Sequence, residues 1–222
     1  MNWTKMLSSP VGRKYVMGAT GFFLILYLII HASINALIFY NDDGFIFNNA
    51  AHFMSHAWFM RVLEIGLFAG FVIHIVQGLM LMKQNKAARP IGYEKQKYTK
   101  RIKWYSRFMG LLGTLILLFL IMHLSHFWYQ TKEELYLSGP KVDLYQRMKE
   151  VFTNPVWFTL YMVGLISLLY HLLHGFQSAF RSLGMHDKTW TPILEKAGVA
   201  YSVIIILLFA SMPISFMVGW LQ

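Results

Sequence analysis

The sequence predicts an all-α integral membrane protein, a bundle of five transmembrane helices, on three observations. Hydrophobic residues make up 56% of the 222 positions and charged ones only 14%, with a mean hydropathy of +0.45, well on the apolar side of a soluble globular chain. The charges gather in clusters separated by long uncharged stretches. Histidines recur inside those stretches at matched depths. The formal charge of +10 by itself points to nucleic acid or an anionic membrane surface, and the apolar fraction favours the membrane. With no Cys, the chain has no disulfide framework, thiolate catalysis, Fe–S ligation or Cys-type zinc site of its own.

Each span follows from a gap in charge. Crossing a bilayer core takes roughly 20 apolar residues. The first helix, near 15–40, lies between Lys14 and Asp42, and its apolar stretch is too long for a cleaved signal peptide and lacks a small-residue cleavage site. The second, near 58–82, ends before Lys83 and tolerates Arg61 and Glu64 at its interfacial end. The third, near 106–130, fills the gap from Arg107 to Lys132, and the fourth, near 155–180, the gap from Glu150 to Arg181. The fifth, near 197–220, has no charge after Lys196. Residues 1–222 thus read as one transmembrane domain.

Orientation follows the Lys/Arg bias. Lys5, Arg13 and Lys14, nine basic residues in 83–107 and three in 181–196 fall on one side, fifteen in all. The other side holds Arg61, Lys132, Lys141, Arg147 and Lys149. The N-terminus is therefore expected in the cytoplasm and the C-terminus outside.

Six of the nine histidines sit in or at the ends of spans, where ionisable groups are costly and functional by default. A rise of 1.5 Å per residue puts His31 roughly 26 Å from Lys14 and His123 roughly 24 Å from Arg107. By the same ruler His74 lies about 14 Å from Lys83 and His174 about 11 Å from Arg181. Four helices carry four histidines at two depths, and the fifth carries none. Bis-histidine haem ligation requires this pattern, because each iron takes an imidazole from either face of the porphyrin. A metal-transport site would gather its ligands at one height, and a proton relay would need intramembrane carboxylates.

An internal repeat supports the pairing. MGATGFFLILYLIIH at 17–31 and MGLLGTLILLFLIMH at 109–123 both read M-G-x-x-G, nine residues, then His. The second pair shares H-x-x-Q, His74 with Gln77 and His174 with Gln177. Gly66, Gly70 and Gly78 lie on the face that carries His74 and would admit a flat macrocycle. His126, roughly 29 Å deep, fits the outer pair less well, whereas His171, at about 15 Å, fits the inner pair by depth as well as His174 does. Only the H-x-x-Q parallel separates those two. Arg13, Lys14, Arg107 and Arg181, at the cytoplasmic helix ends, are candidate partners for haem propionates. His52, His56 and His186 read as loop residues.

These residues resemble the dihaem cytochrome b membrane-anchor subunit of succinate dehydrogenases and fumarate reductases. The resemblance rests on GRKYVMGATGFFLILYLIIH at 12–31, EIGLFAGFVIHIVQGL at 64–79, SRFMGLLGTLILLFLIMH at 106–123 and HGFQSAFRSLG at 174–184. It implies His74 and His174 as ligands of the proximal haem iron and His31 and His123 of the distal one. It further implies a flavoprotein partner with FAD, an iron–sulfur partner, and a quinone, expected to be menaquinone, as electron acceptor in a bacterial cytoplasmic membrane. The basic 83–107 and 181–196 loops are then the expected docking surface. Leu172 stands where some relatives carry a Glu, which argues against a Glu-mediated proton path. In the family quinone chemistry lies near the distal haem, so Glu64, Arg61, His52, His56 and Asp43 are candidates. The alternatives are a dihaem cytochrome b of a hydrogenase or formate dehydrogenase, or a cofactor-free transporter.

Overall fold

A computed structural model of the chain describes residues 9–87, 104–133, 136 and 143–221. Those residues form an all-helical bundle. Helix α1 (Pro10–Asn35) opens on a Ser9 cap, whose hydroxyl accepts from the Gly12 amide at 3.0 Å, with Pro10 at the first helical position. It continues through a turn of 3-10 helix at Ala36–Tyr40. The chain then reverses through three residues with positive φ, Asn41, Asp43 and Gly44. A Cβ on Gly44 would run into the Tyr145 ring.

Helix α2 (Phe45–His56) is short, and α3 (Trp58–Ala87) is the second apolar span. After α4 (Trp104–Arg107), the third span runs from α5 (Met109–His123) through a π-helical segment at Leu124–Tyr129 into α6 (Gln130–Glu133). Helix α7 (Leu144–Thr153) is capped by Asp143, which accepts from the Gln146 amide at 2.9 Å. The Asn48 amide donates to Asp143 at 2.9 Å and its oxygen accepts from the Tyr145 amide at 3.1 Å, fastening α7 to α2. Helix α8 (Pro155–Ser182) starts on an Asn154 cap with Pro155 at the first position. Helix α9 (Trp190–Met217) starts where Asp187 accepts from the amides of Thr189 and Trp190.

Five of these stretches are long and apolar enough to cross a membrane: 10–40, 58–87, 109–133, 155–182 and 190–217. The last starts well before residue 197, since the Asp187 cap lets the helix begin on the polar side and carry Glu195 and Lys196 in its first turns. His52 and His56 lie on α2 rather than in a loop. That segment is uncharged from 44 to 60, but it mixes polar Asn, His and Ser with apolar residues and is too short to read as a membrane span.

The packing order positions the site. Helix α1 packs on α3 and on α8, α8 on α5, and α3 more lightly on α5, so four spans form a ring. The first and third spans face each other across it, as do the second and fourth. Helix α9 packs outside the ring on α8 and α1. One buried cluster joins α1, α8 and α9 through Ile25, Leu165, Leu172, Phe176, Leu194 and Ile206. A second closes the end away from the N-terminus, where Ile38, Phe47, Tyr145, Phe152, Tyr161 and Phe216 meet. Helices α3 and α5 bury little beyond Gly70 and Leu112.

Candidate functional site

The histidines meet across the diagonals of the ring. His31 on α1 and His123 at the end of α5 stand edge to face, ring centroids 5.8 Å apart. Tyr27 stacks on His31 at 5.4 Å and Phe119 stacks on His123 at 5.7 Å. The Asn35 amide lies 3.3 Å from Nδ1 of His31, while Nδ1 of His123 is buried without a hydrogen-bond partner. Phe119 in turn presses on Gly164 of α8, where an added Cβ would clash with its ring.

The other diagonal lies at a different level. His74 on α3 has Nδ1 3.2 Å from the Thr20 hydroxyl of α1. Thr20 precedes His31 by eleven residues, which separates the two levels by roughly 16 Å along α1. The ring facing His74 is His171, with centroids 6.2 Å apart and Nδ1 buried and unpartnered. His174 stands one turn further toward the N-terminal side of the bundle. Its Nδ1 pairs with the Ser106 hydroxyl at 2.8 Å.

Arg13 keeps its Nε buried and unpartnered, and Lys14 next to it is exposed. Arg107 is half-buried on α4. Arg181 reaches Glu195 of α9 at 3.7 Å, and Gln177 donates to the same carboxylate at 2.8 Å. The other end gathers the remaining candidates. Glu64 accepts from Lys132 at 2.9 Å and from the Trp128 indole, so its partner is Lys132 of the third span rather than its near neighbour Arg61, which is exposed. His52 and His56 stack at 3.9 Å on an exposed face of α2. Asp43 is exposed in the turn below Tyr145.

The sequence did not single out the hydroxyls beside the histidines, nor the His126 surroundings. His126 follows His123 on the π-helical segment, stacks on Tyr161 with Nδ1 3.2 Å from its hydroxyl, and meets the Trp157 ring edge on at 4.6 Å. A π-helical turn is uncommon and often marks a functional site, a signal that no single-residue pattern carries.

A five-span helical membrane bundle with two diagonal pairs of intramembrane imidazoles is the class defined here. Among known proteins, the chain is similar to the succinate dehydrogenase cytochrome b558 subunit of Bacillus subtilis (strain 168), at 25% identity over 188 residues, which is 83% of this chain and 82% of that protein. No protein-family model matches the chain, and no solved structure matches it.

Proposed function

We propose that this chain is the membrane-anchor cytochrome b subunit of a succinate dehydrogenase or fumarate reductase. In this reading it carries electrons between an iron–sulfur subunit and quinone through two bis-histidine b haems. The carrying observation is a pair of facing imidazoles at each of two levels, His31 with His123 and His74 with His171, in a chain similar to a cytochrome b subunit along most of its length.

The donor set fits this group. Two imidazoles at one level are too few to hold a bare metal ion, and no cluster of three His, Asp or Glu gathers among the described residues. Two are enough for an iron that brings equatorial nitrogens of its own. Gly66 and Gly113 meet nothing within 4 Å, so neither position on the second and third spans is packed against a neighbour. Bound there, the two b haems supply one-electron carriers in series across the apolar interior.

His31 and His123 are the outer ligands and His74 is an inner one; its partner is His174 by the sequence pattern or His171 by the ring that faces it. His171 is a second reading for the inner site, favoured by its place opposite His74. His174 is favoured by its bond to Ser106, because a ligating imidazole is ordinarily fixed through its other nitrogen. Arg13, with its unsatisfied Nε, leads the candidates for propionates, followed by Lys14, Arg107 and Arg181. Quinone, with menaquinone as the expected form, is placed toward the opposite end, among Glu64, Arg61, His52, His56 and Asp43. The flavoprotein subunit with FAD and the iron–sulfur subunit dock on the N-terminal side, in the cytoplasm of a bacterium.

A dithionite-reduced minus oxidised spectrum of the purified complex tests the reading. It is expected to show two b-type haems per chain; a colourless chain would sink it. His31→Ala and His123→Ala are expected to remove the same haem, and His74→Ala the other. Whichever of His171→Ala and His174→Ala also removes the His74 haem identifies the inner ligand.

A further inference from the structure

Beyond the ligand set, the geometry points to Thr20 as a positioning residue that fixes the tautomer and the seat of His74. The hydroxyl of Thr20 has one proton, and it is committed to the helix backbone: Oγ1 donates to the Val16 carbonyl at 2.8 Å, with the Met17 carbonyl at 3.2 Å. The same oxygen lies 3.2 Å from Nδ1 of His74. With its proton spent, it can only accept. Nδ1 of His74 therefore carries the hydrogen, and in a neutral imidazole that leaves the lone pair on Nε2. Ligation of a metal through Nε2 requires that tautomer.

The next residue lies beside the same ring: a Cβ on Gly21 would meet Cε1 of His74 at 3.5 Å and Nδ1 at 3.9 Å, ordinary van der Waals contact, so the imidazole lies along this stretch of α1. The internal repeat breaks at this position. MGATG at 17–21 corresponds to MGLLG at 109–113, and Thr20 corresponds to Leu112, a buried apolar residue of α5. The hydroxyl occurs only in the copy whose helix abuts His74.

The consequence for electron transfer rests on the haem reading above. A hydrogen bond from Nδ1–H raises the basicity of the ligating nitrogen and favours the oxidised iron, so Thr20 holds the inner site at a lower potential than it would otherwise have.

Redox titration of the purified complex, followed by absorbance and low-temperature EPR, tests this with Thr20→Val and Thr20→Ser. Thr20→Val keeps the β-branch and removes the acceptor. One haem is expected to titrate at a higher potential with altered g-values, the other is expected to stay unchanged, and Thr20→Ser is expected to restore the wild-type pattern. Loss of that haem alone in Thr20→Val, with retention in Thr20→Ser, also supports the assignment. Unchanged potentials at full haem content, or an equal shift of both haems, overturns it. Histidine 15N spectra of the full chain as purified read the tautomer whether or not a haem is bound: Nδ1–H at His74 is expected, and Nε2–H overturns the inference. A wild-type complex with no haem but with Nδ1–H at His74 overturns the functional reading and leaves the tautomer assignment standing.

Discussion

Gly164 and Glu64 show how single positions hold the far end of the site. Phe119 lies between Gly164 and the His123 ring, stacked on the latter at 5.7 Å. Gly164→Ala is therefore expected to push Phe119 against His123. Overpacking of this kind costs about 1–3 kcal/mol, so thermal unfolding of the complex is expected at a lower temperature. Under the proposed haem ligation, absorbance of the His31–His123 haem is expected to shift while the other stays unchanged; equal changes in both would count against this packing chain. Glu64 makes a different point. Its carboxylate holds both Lys132 and the Trp128 indole at the edge of the second span. Lys132→Gln strands that carboxylate, whereas the double variant with Glu64→Gln removes both charges. A double-mutant cycle is expected to give a coupling of about 0.5–3 kcal/mol, and additive effects would mean that the pair does little.

At the scale of elements, much was legible because the solvent makes it so. A membrane span must be long and nearly uncharged, so charge gaps alone place five helices, and a fixed rise per residue orders their histidines by depth. Rotation about a helix axis is less visible. His171 and His174 are three residues apart and share a face, so spacing and depth leave either one opposite His74. The packing of α8 on α1 and α5 turns the His171 ring toward His74 and leaves His174 beside Ser106. Helices α2 and α7 escape notice for the opposite reason, being short, mixed in polarity and stable only against each other and the end of the bundle. Their joint is expected to respond to alkaline pH. Burial first, and then the charges of Asp43, Asp42 and Asp143, raise the Tyr145 phenol above its ordinary value. An acid with a raised folded-state pKa stabilises the fold below its unfolded value, about 10 for tyrosine, and that contribution is lost as pH climbs through the raised value. Hydrogen exchange in α7 is expected to accelerate on alkaline titration ahead of exchange in α8 and α9. Tyr145→Phe is expected to flatten that dependence, and an unaltered profile in the variant would assign it elsewhere.

Across the whole molecule, the +10 charge is divided rather than spread. By the spans read from the sequence, fifteen basic residues against Glu94, Asp187 and Glu195 are expected on the N-terminal side, and five against seven acidic residues on the other. Residues 88–103, which hold much of that charge, lie outside the described residues, but Lys83 and Lys86 at the end of α3, Arg107 and the Arg181–Glu195 contact mark the same side. Such an asymmetry orients a bundle, because basic loops stay in the cytoplasm. Under the proposed function it would also serve as a docking surface, since a charged floor attracts a complementary soluble partner over a Debye length of about 10 Å at 0.1 M salt. The two roles come apart experimentally. Replacing three lysines between 95 and 100 by glutamine leaves most of the asymmetry in place, so, under the proposed topology and function, a C-terminal reporter fusion is expected to report the outside as in wild type and haem content to match wild type. Docking is expected to suffer nonetheless: the flavoprotein and iron–sulfur subunits of the proposed complex should wash from membranes at lower salt than from wild type. If the reporter inverts, the cluster acts in topology, and if retention is unchanged at every salt concentration, the partners are held by other contacts.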